Sequence, residues 1–249
     1  MTDALLSGLL ETMKISRFRL VFCLLAAMAL SGGALWAQAA TITTADTFFS
    51  EISDNYASIS DYTANIAITV GSGAKSEVMK GQVAFRKPDL LRIDFSSPAQ
   101  QTIVFDGKTL TIYLPGYNVV LNQTVDSSNS GGAAGASLAT PQGLYLMKRF
   151  YTIAYEVDAK PVPLEEGSKE TVVVLSLLRR STTESFRSMR LMIDPATKLI
   201  RRIDARNLAG DQIVFDFTAY KLNQKLPDSR FVYDSPASAN MFNNFLFTE

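Results

Sequence analysis

The sequence predicts a mainly β (α+β) fold, in which about eleven strands form one strongly curved antiparallel sheet, an unclosed β-barrel, with helices over its mouth. Two observations predict it. Residues 81–114 place apolar side chains on alternate positions, as in Leu91, Ile93 and Phe95, which is typical of strands with one buried face. Each run ends at a turn that contains proline or glycine, and Asp106-Gly107 is among the strongest short hairpin signals.

The remaining strands and the first helix follow from the same kinds of pattern. A helix over 45–58 is predicted because four large apolar residues recur at helical spacing after Thr44, which can act as N-cap. A last strand is predicted over 228–234, before a mobile tail, and the apolar run 172–175 predicts a strand covered on both faces. The other predicted strands span 61–70, 76–87, 90–96, 101–105, 109–114, 117–125, 151–158, 170–179, 186–193, 199–206 and 211–222.

Residues 126–139 interrupt the strand pattern with serine, glycine and alanine, a composition typical of a flexible loop or a domain linker. Thr140-Pro141 then predicts the N-cap and first turn of a short helix that ends near Phe150. A mobile tether before an amphipathic helix is how a lid is built, whereas a helix that simply caps the core needs no tether. Both interpretations of this helix stay open.

The N-terminus has the pattern of a secretory signal peptide over 1–39, within which Met13 is a more natural translation start than Met1. A basic region precedes the apolar core 20–30, and Ala37-Gln38-Ala39 forms an A-x-A cleavage site. Cys23 lies inside the apolar core and not after it, so we do not predict lipid attachment there. The predicted mature chain is a single domain, 40–249, without cysteine.

Charge and composition exclude several classes of function. The formal net charge is zero, and removal of the first forty residues changes it to −1. A net charge this close to zero gives no electrostatic reason to expect binding to nucleic acid or to an anionic membrane. The chain has no histidine, which removes the common catalytic triads and zinc sites. Four aspartates could be imagined as a carboxylate site, but no spacing pairs them and turns explain two of them, so we predict no enzyme, cofactor or metal; they are Asp94, Asp106, Asp194 and Asp216.

The segments GQVAFRKPDLLR (81–92) and IVFDGKTLTIYLP (103–115), with Pro98 between them, resemble the periplasmic outer-membrane lipoprotein carrier (LolA) family. A weaker match extends from about residue 45 to about residue 235. The resemblance implies a monomeric periplasmic carrier whose half-barrel holds the acyl chains of lipoproteins. It also implies transfer from an inner-membrane ABC-type release complex to an outer-membrane acceptor.

Pattern alone does not decide between a filled core and a ligand cavity, but the resemblance favours a cavity. The candidate lining residues are Ile66, Ile68, Val83, Phe85, Leu91, Ile93, Phe95, Ile112, Leu144, Met147, Phe215 and Phe217. The family has an arginine immediately before the proline, which bonds to lid carbonyls and closes the cavity. Here that position is Lys87 and the arginine is Arg86, so the two are predicted as a latch, with solvated strand-end charges as the alternative.

Two other functions are left open by the sequence. One is a different lipid-binding module on the same scaffold, such as a phospholipid or glycolipid carrier or a domain that senses lipoprotein. The other is a secreted enzyme based on carboxylates, which needs two carboxylates that face each other across a cleft.

Overall fold

The computed structural model describes residues 43–124, 138–182 and 184–244. The predicted signal peptide with Cys23, and most of the loop at 126–139, lie outside these described residues. The helices are α1 (Ala45–Ser58) and α2 (Pro141–Phe150). The strands are β1 (Asp61–Val70), β2 (Glu77–Arg86), β3 (Leu90–Ser97), β4 (Ala99–Phe105), β5 (Thr109–Leu114), β6 (Val119–Thr124), β7 (Tyr151–Tyr155), β8 (Val162–Pro163), β9 (Thr171–Arg179), β10 (Phe186–Ile193), β11 (Ile200–Asn207), β12 (Gln212–Leu222) and β13 (Asn240–Asn243).

The described strands form one curved, unclosed sheet, as the alternating pattern predicts. Its order is β13-β6-β5-β4-β3-β2-β1-β12-β11-β10-β9-β7, and the two-residue β8 pairs only with β9. From β1 to β6 and from β9 to β12, strands that follow each other in the chain pair antiparallel through hairpins, while β1 pairs with β12 and joins the two halves. The sheet therefore consists of two meanders joined at its centre.

Both helices begin at the residues that the sequence predicts. The Thr44 side chain accepts a hydrogen bond from the backbone N–H of Thr47, and the Thr140 side chain accepts one from the N–H of Gly143. Each bond satisfies an N–H that has no partner inside the helix. The predicted turn at Asp106 is also confirmed, since one of its carboxylate oxygens accepts from the N–H groups of Lys108 and Thr109.

The C-terminal segment differs from the prediction. The stretch predicted as a last strand, 228–234, instead contains a 3₁₀ turn at Asp228–Phe231, and the last strand is β13, which pairs parallel with β6. The reason is a side-chain contact from another strand: Nη1 of Arg92 donates to the carbonyl oxygens of Arg230 and Val232. These carbonyls are satisfied by a guanidinium group and do not join a strand ladder.

The apolar core lies on the face of the sheet that the helices cover. From α1, Phe49 and Ile52 are fully buried in it, and from α2, Leu144 is fully buried. A smaller cluster lies on the opposite face, where Leu164 covers Val172 and Val174 of β9. The prediction that β9 is covered on both faces is therefore confirmed.

Candidate functional site

Most of the residues proposed to bind lipid come together on the helix-covered face. Alternate residues of a strand point to the same side, so β1, β2, β3 and β12 each contribute a short apolar row. Eleven of the twelve predicted residues are buried in one hydrophobic cluster; they are Ile66, Ile68, Val83, Phe85, Leu91, Ile93, Phe95, Leu144, Met147, Phe215 and Phe217. We call these eleven residues the apolar face. Their role as ligand contacts stays a prediction.

Ile112 is the one predicted residue outside this cluster. The register pairs it with Ile103, which packs against the cluster, so Ile112 lies on the same side of the sheet. It is only half-buried, because it lies farther towards the edge formed by β6 and β13. The burial of apolar side chains on this side of the sheet therefore decreases towards β6 and β13.

Helix α1 is fastened to the turn between β10 and β11. The side-chain amide of Asn55 donates to the carbonyl oxygen of Thr197 at 3.0 Å. The ammonium group of Lys198 lies 3.0 Å from the Glu51 carboxylate and 4.2 Å above the centre of the Phe48 ring. These contacts tie both the middle and the start of α1 to the sheet.

Helix α2 has fewer polar ties. The ammonium group of Lys148 donates to the hydroxyl of Ser50 on α1 at 2.7 Å and lies 3.9 Å from the Asp46 carboxylate. At the other end, the chain just before α2 is held by Tyr62 of β1, whose hydroxyl donates to the carbonyl oxygen of Ala139 at 2.7 Å. At the end of α2, the N–H of Arg180 donates to the carbonyl oxygen of Phe150 at 2.8 Å. The apolar attachment is made by the buried Leu144 and Met147.

Tyr62 lies in a buried aromatic cluster. Its ring centroid is 5.4 Å from that of Phe85 and 6.3 Å from that of Tyr56, which meets it edge to face. Burial, with the neighbouring Tyr56 as a smaller cause, raises the pKa of Tyr62 well above its usual value. The hydroxyl is therefore protonated at neutral pH and remains a hydrogen-bond donor to Ala139.

The hydroxyl groups of the buried Tyr56 and the half-buried Tyr220 connect α1 to β11. The hydroxyl of Tyr56 accepts from the N–H of Ile200 at 3.1 Å, while Tyr220 donates to the Ile200 carbonyl oxygen at 2.9 Å. Burial raises the pKa of Tyr56 to about 12. These bonds stabilise the junction of α1 with the sheet and do not involve α2.

Arg86 and Lys87, the predicted latch, have partners outside α2 in this structure. Arg86 donates to the carbonyl oxygen of Leu226 at 2.9 Å and pairs with Asp228, both in the C-terminal segment. Lys87 donates to the carbonyl oxygen of Ala57 in the last turn of α1. Their role as a lid latch stays a prediction.

Tyr62 was not predicted as a site residue, although the alternating pattern of β1 indicates that its side chain is buried. Tyr62 begins the alternating row of β1 that continues with Ala64, Ile66 and Ile68, so its ring faces the core. A tyrosine in such a position needs a partner for its hydroxyl. The partner, Ala139, is 77 residues away in the sequence, and pattern cannot identify it.

The four aspartates considered as a carboxylate site each have a structural role. Asp106 and Asp194 accept backbone N–H groups in turns. Asp94 pairs with Arg92 and Arg230, and Asp216 pairs with Arg201 and Arg202. Within the described ranges, no cluster of three or more acidic or other ligand side chains could hold a metal ion.

The fold and the site together define a sheet protein with one apolar face covered by two helices. Residues 67–136 match the family model of the outer membrane lipoprotein carrier protein LolA. The outer-membrane lipoprotein carrier protein of Methylibium petroleiphilum is 27% identical over 218 residues, which cover 87% of this chain and 95% of that protein. The corresponding protein of Leptothrix cholodnii is 27% identical over 183 residues, 72% and 76% of the two chains. The resemblance to the LolA family predicted from the sequence is therefore confirmed.

The fold is similar to those of two solved structures. A LolA superfamily protein of Nitrosomonas europaea matches with a TM-score of 0.42 and 14% identity, over 76% of this chain and 98% of the other. An uncharacterised conserved protein of Thermus thermophilus matches with a TM-score of 0.49 and 16% identity, over 78% and 98%. No helix among the described residues is long and apolar enough to cross a membrane.

Proposed function

We propose that this protein is a periplasmic carrier that binds the acyl chains of lipoproteins on its apolar face and takes them from the inner to the outer membrane. The carrier proteins that it resembles support this proposal, and they are named as carriers and not as enzymes. The observation that carries it is the apolar face itself, in which nine buried side chains of the sheet lie against Leu144 and Met147 of α2, a helix with few polar contacts.

The energetics of exchange favour α2 as the element that moves. Each of the buried Leu144 and Met147 contributes about 1.5–3 kcal/mol of apolar stabilisation. An acyl chain that buries about a dozen methylenes, at about 0.8 kcal/mol each, contributes more than both together. A bound chain can therefore replace α2 on the apolar face, and α2 can close again once the chain has left.

The same proposal gives a role to the other parts of the chain and names its partners. Residues 1–39 act as a cleaved signal peptide, and 40–249 form the single carrier domain, a monomer in the periplasm. An inner-membrane ABC-type complex supplies the lipoprotein, and an outer-membrane acceptor receives it. Ile112 extends the apolar face towards β6, and Arg86 and Lys87 act as a latch if they exchange their present partners for carbonyls near α2.

A dye-displacement experiment tests the proposal. The mature protein should bind bis-ANS saturably, and a triacylated lipopeptide should displace the dye, because both occupy apolar surface that α2 otherwise covers. The matched control is the same peptide without its acyl chains, which should displace nothing. Absence of saturable dye binding, or equal displacement by both peptides, would contradict a carrier of acyl chains.

A further inference from the structure

Eleven arginines lie in the described residues, and they divide into two groups. Six form an ion pair with an aspartate or glutamate: Arg86, Arg92, Arg190, Arg201, Arg202 and Arg230. The other five form no ion pair within the described part of the chain: Arg149, Arg179, Arg180, Arg187 and Arg206. We call these five residues the arginine rim.

The arginine rim gathers at one end of the sheet, where α2 ends. The N–H of Arg180 donates to the carbonyl oxygen of Phe150, the residue after Arg149, at 2.8 Å. Arg179 pairs with Tyr151 across β9 and β7. Arg206 pairs with Ser188, the residue after Arg187, across β11 and β10. The five residues therefore lie on adjoining strand ends and the last turn of α2, although they are scattered along the sequence.

The positive charge of the arginine rim is only partly compensated. Arg149, Arg180, Arg187 and Arg206 are exposed, and Arg179 is half-buried. Two acidic residues lie near the rim. Glu184 raises the pKa of the Tyr151 hydroxyl while Arg179 lowers it, so both charges are close to that hydroxyl. Asp211 accepts a hydrogen bond from Asn207, the residue after Arg206. Basic side chains outnumber these two acidic ones, so the rim is a local positive surface on a chain whose net charge is zero.

Large apolar side chains lie beside these charges. Leu178, which precedes Arg179, is 58% exposed, and Leu208, two residues after Arg206, is also 58% exposed. Tyr145 on the outer side of α2 is 56% exposed. A basic surface interleaved with exposed apolar and aromatic side chains is the composition that binds the interface of an anionic bilayer.

We infer that the arginine rim is a docking surface for an anionic lipid bilayer. Exposed leucines favour a bilayer over an acidic protein, because they can enter the acyl boundary while the guanidinium groups bind phosphates. Docking there brings the last turn of α2, the helix that covers the apolar face, to the membrane surface. The purpose of such docking rests on the proposed carrier function, but the docking itself does not.

Vesicle co-sedimentation of the mature protein tests this inference. Vesicles of phosphatidylglycerol and phosphatidylcholine should bind the protein, and those of phosphatidylcholine alone should not. The combined variant Arg149→Gln, Arg179→Gln, Arg180→Gln and Arg187→Gln should bind at least about tenfold more weakly, since each basic residue contributes to attraction by an anionic surface. Higher salt should weaken wild-type binding in the same direction.

The control removes the same charge elsewhere: Lys108→Gln, Lys169→Gln, Lys221→Gln and Lys225→Gln, all exposed and without an ion pair among the described residues. This control variant should bind like wild type. Arginine-to-lysine changes at the four positions of the combined rim variant should retain most of the binding. Equal loss in rim and control variants, or no wild-type binding, would overturn the inference. The inference would also be overturned if the rim variant lost binding to polyglutamate but bound vesicles like wild type.

In the rim variant, displacement of bis-ANS by lipopeptide should stay as in wild type, which separates docking from the carrier function.

Discussion

The hydroxyl of Tyr62 donates a 2.7 Å hydrogen bond to the carbonyl oxygen of Ala139, the residue before the N-cap of α2. Both residues are buried, so no water replaces this bond while α2 is closed. It is the polar contact that joins β1, in the middle of the sheet, to the start of the covering helix. Opening α2 at this end therefore requires that the bond be broken.

Tyr62→Phe should loosen α2. The substitution removes the donor and leaves a buried carbonyl oxygen unsatisfied, which costs about 1–3 kcal/mol. Hydrogen exchange should show lower protection across 140–150. Tyr56→Phe is the matched control, because it removes a buried hydroxyl that bonds at Ile200 and not at α2. Equal loss of protection in both variants would mean that Tyr62 acts only on global stability.

The contribution of Tyr62 to the closed state should be lost in the alkaline range. Burial raises the pKa of Tyr62 well above the usual value of about 10, so its stabilising bond is fully present below that value. The contribution is lost as pH rises towards and through the pKa of the folded state. Urea unfolding midpoints should be level across neutral pH and fall above about pH 10. The fall should be smaller in Tyr62→Phe, and a fall of equal size would contradict this assignment.

Arg86→Ala should release the C-terminal segment and not α2. Its guanidinium group contacts the Leu226 carbonyl oxygen and pairs with Asp228. We expect a modest loss of stability, about 1 kcal/mol, because the side chain is partly exposed. Limited proteolysis should cut faster within 223–233 while protection of 140–150 is unchanged. Faster exchange in α2 instead would support the latch predicted from the sequence.

Gly81→Ala should destabilise the sheet strongly. A Cβ at this position would lie 2.3 Å from the backbone oxygen of Asp94 and 2.9 Å from the Cα of Phe95, where β2 and β3 shift register. Because backbone atoms must move, we expect a loss of about 2–4 kcal/mol in urea unfolding. Gly116→Ala, where a Cβ meets nothing within 4 Å, is the control and should be near neutral. Similar effects of both substitutions would contradict the packing argument.

The elements that the sequence predicts correctly are those specified by nearby residues. The row Leu91, Ile93 and Phe95 defines the buried face of β3, and the Thr44 and Thr140 caps define where the helices begin. Alternation and capping act over a few residues, so they are visible in the sequence.

The features that the sequence does not predict depend on distant partners. The bond from Tyr62 to Ala139 and the contacts of Arg92 with Arg230 and Val232 join residues far apart in the chain. The pairing of β13 with β6 likewise depends on where the C-terminal segment crosses the sheet. The arginine rim is hidden for the same reason, because its members come from four different elements.

The carrier proposal is tested most directly by identifying what the protein holds when it is purified from its native periplasm. Native mass spectrometry should find a complex of one protein chain with one acylated lipoprotein, which dissociates when the acyl chains are removed. Tyr62→Phe should retain the complex with altered occupancy, since the apolar face is intact. Protein that carries only phospholipid or glycolipid, or no lipid at all under these conditions, would contradict the account.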